Sequence, residues 1–276
     1  MRSTQNVRHA QRGVRARCAG CQREKYKRKG PRQRECSGIK RKLKCHPNPA
    51  WCICVSWQMT FIMDNKKGFI DFMTGAGVLT FGDFTTKSGR KTPYFVNTGN
   101  YKTGMHISTL GDFYADCVIK SGEQFNAMFG PAYKGITLAA ATASSLYRNY
   151  GIDIPFFFNR KEIKDHGEGG AIVGYIPKDG DRIIIIEDVV TAGTAVRESL
   201  ELLKAVADVN VTALFVSVDR MERGTGEQST LDELRNELGV NVYSIITVRD
   251  IIDSLPHGDE RATKMEEYLA LYVGKQ

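Results

Sequence analysis

A run of four isoleucines at residues 183–186, followed at once by two acids and a turn of small residues, constrains the fold of this chain more than any other segment. Such a short apolar run of β-branched residues is typical of a strand buried on both faces of a parallel sheet. The acids are Glu187 and Asp188, and apolar residues at helical spacing resume at Val196. The segment therefore predicts a buried strand, a turn and the start of a helix within an α/β fold.

The turn and the helix start of this segment together predict a site for a phosphorylated sugar. The first backbone N–H groups of a helix have no partners within the helix, and the helix dipole favours negative charge there. Glu187 and Asp188 cannot bind a phosphate, but their carboxylates can accept hydrogen bonds from sugar hydroxyl groups. An aspartate ahead of a helix is also a common cap. The prediction therefore depends on the order of strand, acids, turn and helix together.

The positive charge of the chain is concentrated in its first segment. The 276 residues carry a formal net charge of +8, which by itself would favour a nucleic-acid partner. Residues 1–62, however, hold 16 of the 39 Lys and Arg residues and two of the 31 Asp and Glu residues. The rest of the chain is mildly acidic, which gives no general attraction to nucleic acid. We expect a leader at residues 1–62 and a folded domain at residues 63–276 that does not bind nucleic acid.

The leader at residues 1–62 has three interpretations. One is a zinc or nucleic-acid module, because Cys18 and Cys21 have the spacing of half a zinc site, but the other cysteine spacings do not complete it. A second is a basic targeting or tethering arm. The third is a segment that is disordered, or that is translated from a start upstream of Met63. A segment with dense charge and few aliphatic residues cannot bury enough apolar surface to offset the entropy cost of ordering, which favours the third interpretation.

The sequence also indicates a cellular compartment. No apolar run reaches the length of a membrane span, and the N-terminus lacks the apolar core of a secretory signal. Cys117 is the one cysteine of residues 63–276, and its helical neighbours predict a buried thiol. A single cysteine in so long a domain fits a reducing compartment. We expect a cytoplasmic protein without a membrane partner.

Predicted strands and helices alternate along residues 63–276. Strands are expected at residues 92–96, 127–130, 154–158, 183–186, 211–218 and 242–246. Helices are expected near residues 69–73, 105–119, 134–150, 196–206, 230–238, 248–255 and 259–271, and a polar, glycine-rich loop at 160–170. This alternation implies a parallel sheet covered by helices on both faces, whose ligands lie beyond the carboxyl ends of the strands.

Three further segments carry groups that suit a phosphate or a planar base. The loop at 160–170 contains several cations and ends in glycines, which suits a lid over a polyanion, although a solvated charged loop has the same composition. Residues 130–135 can offer backbone N–H groups and Lys134 to a phosphate, or form an ordinary loop. Residues 86–97 join a Lys-Ser-Gly turn to an aromatic strand, which suits a planar acidic base or a hairpin with core aromatics.

Five motifs, taken in order, closely resemble those of the orotate phosphoribosyltransferases, within the type I phosphoribosyltransferase family. They are Lys87-Ser88-Gly89-Arg90-x-x-Pro93-Tyr94-Phe95, Tyr133-Lys134-Gly135, Arg160-Lys161-x-x-Lys164-x-His166-Gly167, Glu187-Asp188-x-x-Thr191-Ala192-Gly193 and Asp219-Arg220-x-Glu222-Arg223-Gly224. The resemblance runs from about Met63 to the C-terminus. It implies the type I phosphoribosyltransferase fold, an α/β fold with a mostly parallel sheet flanked by helices, a small N-terminal hood and a flexible catalytic lid loop.

The resemblance also implies an activity. This is transfer of the 5-phosphoribosyl group from 5-phosphoribosyl 1-pyrophosphate (PRPP) to orotate in UMP biosynthesis, a glycosyltransferase reaction. The implied cofactor is Mg²⁺, held mainly by substrate oxygens, and the implied assembly is a homodimer in which each lid serves the neighbouring subunit. Two alternatives stay open at this point: a purine phosphoribosyltransferase, and a non-catalytic regulator that senses PRPP.

The resemblance assigns roles to individual residues. Those implied in catalysis are Lys87, Lys161, Lys164 and His166. Those implied in PRPP binding are Lys87, Tyr133, Lys134, Arg160, Lys161, Lys164, His166, Glu187, Asp188, Val189, Val190, Thr191, Ala192, Gly193, Thr194 and Ala195. Those implied in orotate binding are Phe95, Val96, Thr191 and Arg220, with Arg220 on the carboxylate of the base.

Two positions depart from the pattern of the family. Val96 stands where many members have a second aromatic residue, so stacking on the base would be weaker. Glu187 stands where others have aspartate. Because both side chains are carboxylates, the implied contact with the ribose hydroxyl groups is retained.

Overall fold

The computed structural model describes residues 66–86, 89–164, 170–190, 193–224 and 226–274, and within these ranges it does not describe the side chains of residues 162–164 and 170. The predicted leader at residues 1–62 lies outside the described residues, so its three interpretations stay predictions. Within the described residues, no helix is both long enough and apolar enough to cross a membrane.

Helices and strands alternate along the described chain, as the sequence predicts. The helices are α1 (Lys66–Gly75), α2 (Gly104–Ser121), α3 (Lys134–Ser145), α4 (Thr194–Val206), α5 (Thr230–Leu238), α6 (Val248–Ser254) and α7 (Glu260–Tyr272). The strands are β1 (Leu79–Thr85), β2 (Lys91–Val96), β3 (Ala127–Gly130), β4 (Phe156–Lys164), β5 (Gly170–Gly174), β6 (Arg182–Ile186), β7 (Asn210–Asp219) and β8 (Asn241–Thr247). A 3₁₀ turn covers Thr98–Asn100, and a π-helical turn, Leu146–Tyr150, follows α3.

Six strands form one mostly parallel sheet in the order β5-β4-β3-β6-β7-β8. Strands β4, β3, β6, β7 and β8 run parallel, and β5 is antiparallel to β4 at the edge. The central strand β3 pairs with β6 through Met128 and Ile184. The predicted α/β class and the mostly parallel sheet are therefore confirmed, and β3 and β6 end side by side at the same edge.

The isoleucine run in β6 is buried on both faces, as predicted. Ile184 and Ile186 belong to the core cluster on one side of the sheet, which also contains Tyr114 of α2. Ile183 and Ile185 belong to the cluster on the other side, with residues of α4 and α5. All four isoleucines have at most 1% of their surface exposed. A parallel strand covered by helices on both faces needs such a continuous apolar run rather than an alternating one.

A second, antiparallel sheet of β1 and β2 forms the hood together with helices from both ends of the described chain. Buried Tyr94 of β2 packs edge-to-face against Tyr268 of α7, with ring centroids 6.0 Å apart. Lys66 at the start of α1 forms an ion pair with Asp250 of α6 at 2.8 Å. The hood therefore depends on the C-terminal helices as well as on the segment that precedes the large sheet.

The structure extends or adds strands where the sequence predicts loops. β1 has no counterpart in the sequence-based assignment, because its glycine at position 82 and its mixed burial hide the alternation. Residues 160–164, predicted as part of a loop, continue β4, and β5 returns beside them through the pairs Asn159–Ile172 and Lys164–Gly170. Backbone pairing between the charged end of β4 and the short, glycine-bounded β5 stabilises this ribbon, and apolar periodicity does not reveal it.

Candidate active site

A cavity of about 410 Å³ lies beyond the carboxyl ends of β3 and β6. It is bordered by two loops that the sequence analysis singled out, the loop ahead of α3 and the loop ahead of α4. The lining residues are Ala132, Tyr133, Lys134, Glu187, Asp188, Val189, Val190, Gly193, Thr194, Ala195 and Val196. The structure therefore brings together most of the described residues that the resemblance assigns to PRPP.

Glu187 and Asp188 are fixed through their backbone before any ligand binds. The Tyr114 hydroxyl donates to Glu187 O at 2.6 Å, and burial keeps that tyrosine neutral by raising its pKa well above the ordinary value. Ser217 of β7 donates to Asp188 O from both its backbone N–H, at 2.8 Å, and its hydroxyl, at 2.7 Å. The two carboxylates are consequently presented from a rigid turn.

The Glu187 side chain is poised to change its protonation near neutral pH. Burial raises the pKa of Glu187 to about 7, and the neighbouring charge of Asp188 acts in the same direction. The backbone N–H of Asp188, which donates to Glu187 Oε1 at 3.0 Å, opposes that rise. A carboxylate in such surroundings gains from donors that a bound sugar would supply.

Asp188 is paired with Lys134 from the neighbouring loop. Lys134 Nζ lies 2.5 Å from Asp188 Oδ2, although the residues are 54 positions apart in sequence. Close packing creates this approach, because a Cβ at Gly135 would lie only 2.9 Å from Ile186 O. Glycine at that position lets the start of α3 rest against the end of β6, which carries Lys134 to the acids.

The start of α4 has the form of an anion site. Gly193 is its N-cap residue with φ of +74° and makes no side-chain cap, so among described residues no side chain occupies the first-turn N–H groups as a cap. A Cβ at Gly193 would lie 2.8 Å from Arg197 Nη1 and 3.0 Å from Leu234 Cδ2. Val190, Thr194 and Ala195 line the same cavity. The predicted backbone contributions of Thr191 and Ala192 fall outside the described residues.

The loop after β3 and the charged end of β4 meet at the mouth of the cavity. The Lys161 ammonium lies 5.1 Å from the centroid of the Tyr133 ring, and Tyr133 is 68% exposed. Asn159 Oδ1 accepts from the backbone N–H of Ala132 at 2.8 Å, which ties β4 to the loop after β3. Arg160 follows within β4. The side chain of Lys164, and the whole of His166 and Lys87, lie outside the described residues.

The residues predicted for the base lie on and beside β2. Phe95 is 39% exposed, and its ring centroid lies 5.6 Å from that of Phe84. Val96 is partly buried against the core. Tyr94 precedes Phe95 in β2, and the Arg220 guanidinium lies 5.5 Å from the centroid of the Tyr94 ring. Arg220 follows β7 and Tyr94 belongs to β2, so two segments that are distant in sequence meet at this contact.

Comparison with known proteins identifies the family. The Phosphoribosyl transferase domain matches residues 97–253. An orotate phosphoribosyltransferase of Clostridium beijerinckii is 48% identical over 220 residues, which are 76% of this chain and 98% of the relative. That of Escherichia coli O157:H7 is 46% identical over 205 residues, which are 74% of this chain and 93% of the relative. The chain belongs to the orotate phosphoribosyltransferase family.

A solved member of this family has the same fold. The crystal structure of orotate phosphoribosyltransferase from Francisella tularensis is 36% identical, with a TM-score of 0.69 over 75% of this chain and 100% of that chain. The type I phosphoribosyltransferase fold implied by the motifs is thereby confirmed. The domain match begins after β2 and ends before α7, so it does not cover these parts of the hood. The similarity of the hood to known proteins therefore rests on the relatives that align over nearly their whole length.

Three residues at the site of this family member have no role in the sequence-based prediction. They are Thr98, which contacts Asp188; Tyr114, which supports Glu187; and Glu222, which pairs with Arg220. Glu222 belongs to one of the five motifs, but the sequence does not show that it pairs with Arg220. Thr98 and Tyr114 give no local signal, because each is an ordinary polar or aromatic residue whose partner lies far away in sequence.

Proposed function

We propose that this chain transfers the 5-phosphoribosyl group of PRPP to orotate, giving orotidine 5′-phosphate and pyrophosphate in UMP biosynthesis. The observation that carries this proposal is the shared cavity of Glu187, Asp188 and Lys134 at the start of α4. It presents acids for sugar hydroxyl groups, helix N–H groups for a phosphate and a cation for pyrophosphate. Arg220, held beside Tyr94, supplies the charge that a base with a carboxylate needs.

Each part of PRPP has a matching group in the cavity. Glu187 and Asp188 accept hydrogen bonds from the ribose hydroxyl groups, and the backbone from Val189 to Ala195 binds the 5-phosphate. Lys134 and Arg160 contact pyrophosphate. Tyr133 and Lys161 border its exit, because the lysine lies over the tyrosine ring at the cavity mouth.

The reaction requires charge stabilisation more than proton transfer. Orotate N1 gives up its proton to solvent or to the departing pyrophosphate and forms a bond to the anomeric carbon as the bond to pyrophosphate breaks, so positive charge develops on the sugar and negative charge on the leaving group. The ring nitrogen of orotate is already acidic, and a strong general base is not required. Fixed cations directed at pyrophosphate, with the reactants held in position, lower the barrier. Lys87, Lys161, Lys164 and His166 are the residues we assign to this role.

Orotate is placed by the hood and by Arg220. Phe95 offers an exposed aromatic face, and Val96 and Thr191 are assigned an aliphatic and a polar contact with the base. Arg220 meets the carboxylate of orotate, which uracil and the purine bases lack. A guanidinium suits a planar carboxylate because its N–H groups match the two oxygens.

Mg²⁺ is proposed as the cofactor. The ion would be held mainly by substrate oxygens, and the carboxylates of Glu187 and Asp188, which line the cavity, are hard oxygen groups that suit its presence there. When bound, the ion neutralises charge on pyrophosphate as a Lewis acid. The two acids also serve the sugar directly, as described above.

We further propose a homodimer in the cytoplasm. The support for the dimer is the family resemblance, in which Lys161, Lys164 and His166 reach the neighbouring site. A subunit-mixing assay tests it: an Asp188→Asn chain and a Lys164→Ala chain, each impaired alone, should regain activity when mixed, since one hybrid site is intact. Activity that stays at the sum of the two separate chains would exclude a shared lid.

The experiment that tests the proposed function is a base-specificity assay. The purified chain is given PRPP and Mg²⁺ with orotate, uracil, adenine or hypoxanthine, and pyrophosphate release is measured. We expect release with orotate alone, and its loss in an Asp188→Asn variant. Release with a purine base would instead support a purine phosphoribosyltransferase. PRPP binding without turnover of any base would support a regulator that senses PRPP.

A further inference from the structure

The 3₁₀ turn after β2 places a hydroxyl group against Asp188 and Lys134, two residues that line the cavity. The turn is held rigidly: the Asn97 N–H donates to Val78 O at 2.8 Å, and Asn100 Nδ2 donates to Gly77 O at 2.6 Å. Within the turn, the Tyr101 N–H donates to Thr98 O at 3.1 Å. Thr98 therefore occupies a fixed position, two residues beyond Val96 of the base-binding strand.

The Thr98 hydroxyl joins two groups that handle different parts of PRPP. It donates to Asp188 Oδ2 at 2.6 Å and accepts from Lys134 Nζ at 2.7 Å. A hydroxyl has one donor and two acceptor lone pairs, so it can do both at once. Lys134 also contacts the same Asp188 oxygen at 2.5 Å. The three groups form a closed triangle at the boundary between the hood and the large sheet.

This triangle must open when PRPP binds in the proposed manner. Lys134 leaves Asp188 for pyrophosphate, and its side chain, 59% exposed, is free to swing. Asp188, only 13% exposed, stays and accepts from a ribose hydroxyl. Once Lys134 has left, Thr98 still binds Oδ2, and the Val189 N–H still binds Oδ1 at 2.6 Å. The carboxylate is thus held at both oxygens without the lysine.

We propose that Thr98 is a positioning residue for PRPP: its hydroxyl holds Asp188 in the orientation that accepts the ribose hydroxyl while Lys134 moves to pyrophosphate. This inference rests on the proposed function. It assigns to the hood a part in binding the sugar as well as the base. Removing the hydroxyl would leave Asp188 Oδ2 with Lys134 as its one described partner. Asp188 and Lys134 would then depend on each other, and their ion pair would compete with the ribose hydroxyl for Asp188 and with pyrophosphate for Lys134.

The test compares Thr98→Val, which keeps the shape without the hydroxyl, with Thr98→Ser, which keeps the hydroxyl. The full chain is titrated calorimetrically with PRPP and Mg²⁺ in the absence of orotate. We expect PRPP to bind about tenfold more weakly to the valine variant, the loss typical of a hydrogen bond to a charged group. The serine variant should stay within about twofold of wild type, with the KM for orotate unchanged in both.

Matched variants separate positioning from folding. Thr109→Val removes a hydroxyl on α2 that contacts the sulfur of Met105 at 3.8 Å, and it should bind PRPP as wild type does. Thr98→Ala provides a second hydroxyl-free variant should Thr98→Val lower the melting temperature. Wild-type PRPP affinity in both hydroxyl-free variants, or equal weakening in Thr98→Ser, would overturn the inference.

These titrations, together with the base-specificity assay, distinguish this inference from the proposed function. A wild-type chain that binds PRPP without turning over orotate defeats the proposed function, and the Thr98 variants still decide the role of the hydroxyl. A wild-type chain that does not bind PRPP overturns both.

Discussion

Arg220 is bound to Glu222 through two of its guanidinium nitrogens: Nη2 and Nε both donate to Glu222 Oε1, at 2.6 and 3.0 Å. Both side chains are largely buried, and the Tyr268 hydroxyl donates to the same oxygen at 2.9 Å. Burial opposes the charge of Arg220, but attraction from Tyr94 and Glu222 outweighs it and raises the pKa of the guanidinium. An internal acid therefore orients Arg220 before a base arrives.

Glu222→Gln should destabilise the fold and weaken orotate binding. The change leaves Arg220 and the nearby Arg90, 3.8 Å from Glu222 Oε2, without their counter-charge. Loss of one partner from a buried pair costs about 3–5 kcal/mol. We expect a comparable fall in the free energy of unfolding by urea and a higher KM for orotate. Glu266→Gln, which breaks the exposed pair with Arg249, should cost less than about 1 kcal/mol; similar losses in the two variants would contradict the prediction.

Glu187 should make the stability of the ligand-free protein depend on pH. Its pKa is raised to about 7, so between the ordinary value of 4.5 and that pKa the folded chain keeps a proton that the unfolded chain has released. The free energy of unfolding must fall as pH rises through this window. Glu187→Gln removes the titrating group. Its stability relative to wild type should increase from about pH 5 to about pH 8 in urea denaturation, and a difference that does not vary with pH would refute the assignment.

Gly193→Ala should damage both folding and PRPP binding. A side chain at φ of +74° costs about 1–2 kcal/mol, and the new Cβ would press on Arg197 and Leu234. Gly239→Ala is the matched control, since its φ is +66° and a Cβ there meets nothing within 4 Å. We expect both variants to lose unfolding free energy, and only Gly193→Ala to raise the KM for PRPP. An unchanged KM for PRPP in Gly193→Ala would show that this turn does not bind the phosphate.

Lys164→Ala should lower kcat by about 10²-fold or more, the effect typical of removing one charge-stabilising donor, with PRPP affinity less affected. The prediction derives from the lid motif, because the side chain of Lys164 is not among those described. Lys204→Ala, on the exposed face of α4, is the control for loss of one positive charge. The measurement is steady-state turnover with orotate saturating, and turnover equal to wild type would exclude Lys164 from the reaction.

The sequence predicted the elements whose residues alternate or cluster by burial. β3 spans the residues expected, as does α5, and β6 extends the predicted run by one residue. The spacing of buried residues can be read from the sequence, because an apolar residue faces the core regardless of which element packs against it. β1 and the β4-β5 ribbon escaped prediction since their pairing, rather than their apolar pattern, makes them strands.

The sequence by itself determined the chemical groups of the segment that we propose binds PRPP. Strand, acids, small turn and helix are consecutive, so their order alone places two carboxylates beside the start of α4. It also determined the family, through five motifs with charged and small residues at fixed spacing. Each of these features lies within a short stretch of sequence, so it can be recognised without knowing which distant residues it contacts.

Only the tertiary structure decided how the separate segments meet. Thr98 and Asp188 are 90 positions apart and share a hydrogen bond because the hood turn rests on the end of β6. Tyr94 and Glu222, 128 positions apart, share a hydrogen bond between β2 and the segment after β7. Such contacts depend on strand order and on close approach at glycines such as Gly135. No local pattern records them, since a threonine or glutamate looks the same whether its partner is water or a buried charge.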